Sequence, residues 1–131
     1  MKLKLAKVRD RRYVKPSDEI HSLTSFFAVP KGEDDVRMVY DGTKSGLNEC
    51  IWVPRFPLPT VATHLRAVES GTFMGDMDVG DMFLNFVLHE SMQALCGIDL
   101  TNFFGETGSN GKPKQLWERW VRAAMGLKSS P

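Results

Sequence analysis

The densest group of side chains able to do chemistry in this sequence is Asp76, Asp78 and Asp81. On an extended strand, residues two apart point to the same face, so Asp76 and Asp78 would stand about 7 Å apart and repel unless water or a cation separates them. Hard oxygen donors suit Mg²⁺ or Mn²⁺, while a solvated strand face is the plain alternative, and spacing alone does not choose between them. The first fifteen residues have the opposite sign. Lys2, Lys4, Lys7, Arg9, Arg11, Arg12 and Lys15 stand against Asp10 alone, in a chain whose net charge is +1. Such a basic arm suits a polyanion such as nucleic acid, or it is a solvated tail. Cys50 and Cys96 share no short spacing with each other or with His21, His64 and His89, which leaves no zinc pattern and no disulfide framework. Two buried free thiols are expected.

The elements that must position these residues follow from composition and pattern. With 131 residues, 42% of them apolar and 25% charged, the chain has the composition of one soluble globular domain. No apolar run is long enough to span a bilayer, and the basic first residues have no apolar stretch behind them, so neither a membrane span nor a signal peptide is expected. The implied location is intracellular, cytoplasmic or nuclear. Residues 1–21 read as an arm or frayed helix. SLTSFFAV and VRMVY, joined by PKGEDD, read as a β-hairpin with Lys31 at its tip and Arg37 on the face opposite Met38. A loop and then a proline-rich extended stretch follow, the latter interleaving Trp52, Arg55 and Phe56, which would stack on bases or pack under a loop.

Thr60 caps a short predicted helix running to about Val68, and Gly71 ends it. TFMGDMDV alternates, which predicts a strand with Asp76 and Asp78 on one face. DMFLNFVLHE reads as a helical turn or short helix and QALCGIDL as a strand. The Gly-Lys of FGETGSNGKPK is no phosphate-binding loop, because Glu106 and Pro113 occupy positions that need glycine and a hydroxyl residue. Leu116, Trp117, Trp120, Val121 and Ala124 recur at helical spacing. Together these predict an α+β fold, an antiparallel sheet with short helices. The abrupt GLKSSP ending suggests a chain cut from something longer.

Over about residues 13–131 the sequence resembles the polymerase domain of reverse transcriptases, especially those of copia-like and gypsy-like retrotransposons. MDVGDMFLNFVLHE is similar to the first catalytic motif of that family, an apolar strand, an Asp and then an aromatic five positions on, here Asp78 and Phe83. YVKPSDEIHSLTSFFAVPKGEDDVRMVYDG resembles the fingers hairpin, with Lys after Val-Pro and Arg before an apolar pair and Asp. LNECIWVPRFPLPTVATHLRAV resembles the family's Leu-Asn, its Pro-Leu-Pro turn and the following helix, and RAAMGLKSSP the Gly-Leu-Lys-x-x-Pro opening of the next palm motif. The resemblance makes QLWERWVRAA a strand, against its helical periodicity. The gap between Asp41 and Leu47-Asn48 is longer than is usual in the family, and the family's aromatic-x-Asp-Asp motif does not occur in the sequence.

The resemblance implies a basic arm over 1–15 and a partial fingers and palm domain over 16–131 that stops before the second catalytic motif, with the remainder of a retroelement polyprotein as a partner. It implies an RNA template, a DNA primer and a deoxynucleoside triphosphate as partners, with no membrane. Nucleotidyl transfer uses two divalent ions, Mg²⁺ or Mn²⁺, held by shared carboxylates. Asp78 and the carbonyl of Val79 would supply part of that shell, and one carboxylate cannot hold both ions, so the chain is expected to be inactive alone. Lys31 and Arg37 would neutralise the triphosphate, Lys as a point charge and Arg by bidentate pairing, unless Lys31 is merely an exposed lysine and Arg37 pairs with Asp35 or Asp41. Phe83 would stack under the sugar and exclude a 2′-hydroxyl, or serve as a core aromatic. The alternative function is a non-catalytic nucleic-acid-binding module using Lys2, Lys4, Lys7, Arg9, Arg11 and Arg12.

Overall fold

A computed structural model of the chain describes residues 1–55 and 57–128. Its most regular element is the expected hairpin. Strands β2 (Ser25–Lys31) and β3 (Asp35–Asp41) pair antiparallel over their whole length, from Ser25 opposite Asp41 to Lys31 opposite Asp35. Gly32 makes the turn possible by taking φ +69°, a left-handed conformation that costs glycine little. Period two sends Phe26, Met38 and Tyr40 to one face and Lys31, Asp35 and Arg37 to the other.

The apolar face of the hairpin packs against a second, three-stranded antiparallel sheet in the order β1 (Val14–Pro16), β5 (Trp117–Trp120), β4 (Gly97–Asp99). The joint is aromatic. Tyr40 meets Trp120 edge-on, with ring centroids 4.8 Å apart and planes at 82°, an arrangement favoured by the ring quadrupoles. Leu5, Val14, Tyr40, Leu47, Cys96, Ile98, Leu100, Trp120, Ala124 and Leu127 form one buried cluster. Helices are short: α1 (Lys2–Asp10), α2 (Leu47–Cys50), α3 (Val61–Leu65), α4 (Glu90–Gln93), α5 (Thr101–Phe104), and a 3-10 turn over Met82–Asn85. The fold is therefore α+β with antiparallel sheets and short helices. No described helix is long and apolar enough to cross a membrane.

Several expectations are corrected. Of the two readings of residues 1–21, arm or frayed helix, the helix forms: α1 buries Leu5 to 1% exposure in the core, and β1 runs across residue 15. Residues 72–79 form no strand. They run irregular and exposed, Phe73 fully and Met77 to 87%, because no neighbouring strand among the described residues offers them a ladder of hydrogen bonds. The shared strand face for Asp76 and Asp78 falls with that strand. DMFLNFVLHE forms its helical turn as a 3-10 turn at Met82–Asn85, whereas QALCGIDL is strand only at Gly97–Asp99. Residues 117–120 are a strand, as the family pattern required and periodicity did not. Cys96 is buried but Cys50 is exposed. The helix capped by Thr60 does form, its hydroxyl accepting from Thr63 N at 3.3 Å.

Candidate functional site

Three walls enclose a cleft of about 670 Å³, a volume in the range of small-molecule sites. The first is α1. Lys4, Lys7 and Arg11 lie at i, i+3 and i+7, which 3.6 residues per turn stacks on one face, and all three line the cleft together with Val8. The second is the hairpin, which contributes Lys31 from the end of β2 and Arg37 from β3. The third is the stretch 78–84, contributing Asp78, Val79, Asp81 and Phe83. Val36, Met38, Tyr40 and Trp120 also line the space. Burial pushes the Tyr40 phenol far above its ordinary value, so it stays protonated.

Five cations thus face two carboxylates. Arg11 reaches Asp81 at 3.3 Å, and Lys4 reaches Asp35, just outside the lining, at 2.8 Å. Lys7, Lys31 and Arg37 form no ion pair among the described residues, so the alternative in which Arg37 pairs with Asp35 or Asp41 is not met. Asp81 adopts a left-handed φ of +52°, uncommon outside glycine, which caps the 3-10 turn while its carboxylate points to Arg11. Phe83 is half-buried, while Asp78 and Val79 are exposed.

The carboxylate chemistry is thinner than the sequence suggested. Asp76 does not line the cleft, and Asp81 is already paired with Arg11. Among the described residues no group of three or more Asp, Glu, His or Cys side chains is arranged to hold an ion. The residues described therefore do not form a complete divalent seat, and Asp78 stands as a single carboxylate.

The basic residues of the amino-terminal run divide sharply. Arg9 leaves the cleft, donating from Nε to Glu118 Oε1 at 2.9 Å and lying 5.0 Å from the Phe104 ring, with Lys2 5.6 Å from the same ring. Glu118 is only 2% exposed, and Arg9, its side chain 37% exposed, is its counter-ion. Arg12 is exposed just beyond α1 and does not line the cleft. Trp52 and Arg55 are exposed on the proline-rich stretch, and Phe56 lies outside the described residues.

Sequence reasoning missed two features. One is that α1 shares a cleft with the hairpin, although the i, i+3, i+7 spacing of Lys4, Lys7 and Arg11 was visible. The other is a clasp made by Asn48, whose Nδ2 donates to the carbonyl of Gly126 at 2.9 Å and whose Oδ1 accepts from Lys128 N at 2.8 Å. It ties the Leu-Asn and Gly-Leu-Lys segments together, with Leu47 and Leu127 both buried to 5% beside it. Neither a protein-family model nor a curated protein matches the chain.

Proposed function

We propose that the chain is the fingers and first part of the palm of an RNA-directed DNA polymerase of a retroelement, and that its cleft receives the triphosphate of a deoxynucleotide. One observation carries this reading. Lys31, Arg37, Asp78, Val79 and Phe83, picked out by separate motifs, line the same cleft. Lysine and arginine lining one cleft are suited to polyphosphate, and a half-buried aromatic lining the same cleft is suited to the sugar. Mg²⁺ or Mn²⁺ belongs to this reading only as the ion a triphosphate carries, with Asp78 as a single carboxylate. No catalytic step is included, because the sequence holds no aromatic-x-Asp-Asp motif.

The test is nucleotide binding. Titration with dATP is expected to saturate, to weaken in Lys31→Ala and Arg37→Ala, and to lose its preference over ATP in Phe83→Val. Binding indifferent to all three substitutions refutes the reading. Primer extension on an RNA template with Mn²⁺ is expected to be absent; extension abolished by Asp78→Ala would show the chain to be active alone.

A second reading, a non-catalytic nucleic-acid-binding module that takes an RNA template and DNA primer, is favoured by Lys4, Lys7 and Arg11 on the same cleft. Deleting residues 1–15 is no test of it, since Leu5 and Val14 belong to the core. Charge reversal at Lys7 and Arg11 is the cleaner experiment, and affinity for an RNA–DNA hybrid that falls with salt and with each reversal supports it.

A further inference from the structure

We propose that α1 is a third phosphate-binding wall of this cleft, with Lys7 as its unpaired contact and with Lys4 and Arg11 held by Asp35 and Asp81, carboxylates that a bound polyphosphate displaces. This inference rests on the triphosphate reading and extends it to residues outside the segments that suggested it.

Three cations crowd one face at α1. Lys4 and Lys7 are three apart on α1 and Lys7 and Arg11 four apart, spacings at which like charges on a helix repel. The first turn of α1 holds no acidic residue to offset them. Two of the three cations are relieved by carboxylates from the other walls, Lys4 by Asp35 on β3 and Arg11 by Asp81 on the 78–84 stretch. Lys7 is exposed, lines the cleft and has no acidic partner among the described residues.

Asp35 and Asp81 thus occupy the positions that anionic oxygens of a ligand would take. Both pairs are solvent-exposed, with side-chain exposures of 38% and 45% for Lys4 and Asp35 and of 58% and 63% for Arg11 and Asp81. Exposed pairs of this kind hold weakly. A triphosphate brings several charges at once and two or three non-bridging acceptor oxygens per phosphoryl group, so it outcompetes single carboxylates for the same donors. The cleft then binds with five cations, two of which are released by the ligand itself.

The experiment titrates the full chain with two probes, inorganic triphosphate and dATP, by isothermal calorimetry at low salt. The variants are Lys7→Ala, Lys7→Arg, Lys31→Ala and the double variant Asp35→Asn with Asp81→Asn. Lys7→Ala is expected to weaken both probes about fivefold, the worth of one exposed charge contact, with unfolding temperature unchanged and affinity restored in Lys7→Arg. The double acid variant is expected to tighten both about fivefold. If Lys31→Ala weakens binding and Lys7→Ala does not, the role of α1 is overturned and the triphosphate reading stands. If Lys7→Ala weakens binding and Lys31→Ala does not, the α1 wall stands and the hairpin reading falls. Binding of dATP without binding of inorganic triphosphate overturns the inference, since recognition would then lie in the nucleoside.

Discussion

Replacing Arg9 by alanine separates the structural from the ligand-binding members of the amino-terminal basic run. Glu118 is 2% exposed on the central strand β5, and its only ion-pair partner among the described residues is Arg9, at 2.8 Å. Removing one member of a fully buried pair leaves an uncompensated charge at a cost of about 3–5 kcal/mol. The Arg9 side chain is 37% exposed, so water partly replaces it and the electrostatic cost falls to roughly 2 kcal/mol. Loss of the guanidinium over Phe104 adds about 0.5–1 kcal/mol. The expected loss is therefore about 3 kcal/mol, or roughly 10 °C in unfolding temperature for a domain of this size. Urea unfolding followed by tryptophan fluorescence measures it directly. Glu118→Gln keeps the shape and an acceptor, so combining it with Arg9→Ala should recover much of the loss in a double-mutant cycle. An Arg9→Ala variant within 0.5 kcal/mol of the parent would refute the reasoning. So would weakened binding of an RNA–DNA hybrid by the folded Arg9→Ala protein.

Three further outcomes are expected. Gly126 sits at φ +104°, and a Cβ there would run into the carbonyl oxygen of Tyr40, so Gly126→Ala should cost about 2–4 kcal/mol in thermal unfolding. With Cys50 exposed and the buried Cys96 thiol pushed up to about 11 by desolvation, a disulfide reagent at neutral pH should label one thiol quickly and the second only on unfolding. The hydrogen bond from Lys4 holds Asp35 below its ordinary value of 3.8. A depressed folded value means that the tie between α1 and the hairpin is present at neutral pH and is lost as pH falls through that value. Carboxyl NMR should find the Asp35 midpoint rising in Lys4→Ala.

The hairpin was legible because everything that makes it is local: β-branched and aromatic residues, a Lys-Gly turn and a fixed period of two. The strand at 117–120 was not legible from periodicity, since its inward residues are Trp120 and Glu118, and a buried glutamate reverses the expected pattern of polar outside and apolar inside. Among the described residues Arg9, more than a hundred positions away, is the cation that makes that burial tolerable. TFMGDMDV shows the converse failure. Its alternation is as clear as that of β3, but alternation describes what a strand presents and not whether a neighbour exists to pair with it. At the candidate site, Lys31, Arg37, Asp78 and Phe83 were named from motifs, whereas the contribution of α1 depends on Leu5 docking in the core, which a run of charge conceals.

The order of strands in the three-stranded sheet also dictates when the protein can fold during synthesis. β1 and β4 hydrogen-bond to β5 and not to one another, and Val14 finds Trp120 as its opposite number. At roughly 5–20 residues per second, a ribosome needs at least about 5 s after making Val14 before it makes that partner. Through that interval the 25–41 hairpin can close on its own, while Val14 waits for the strand it will pair with.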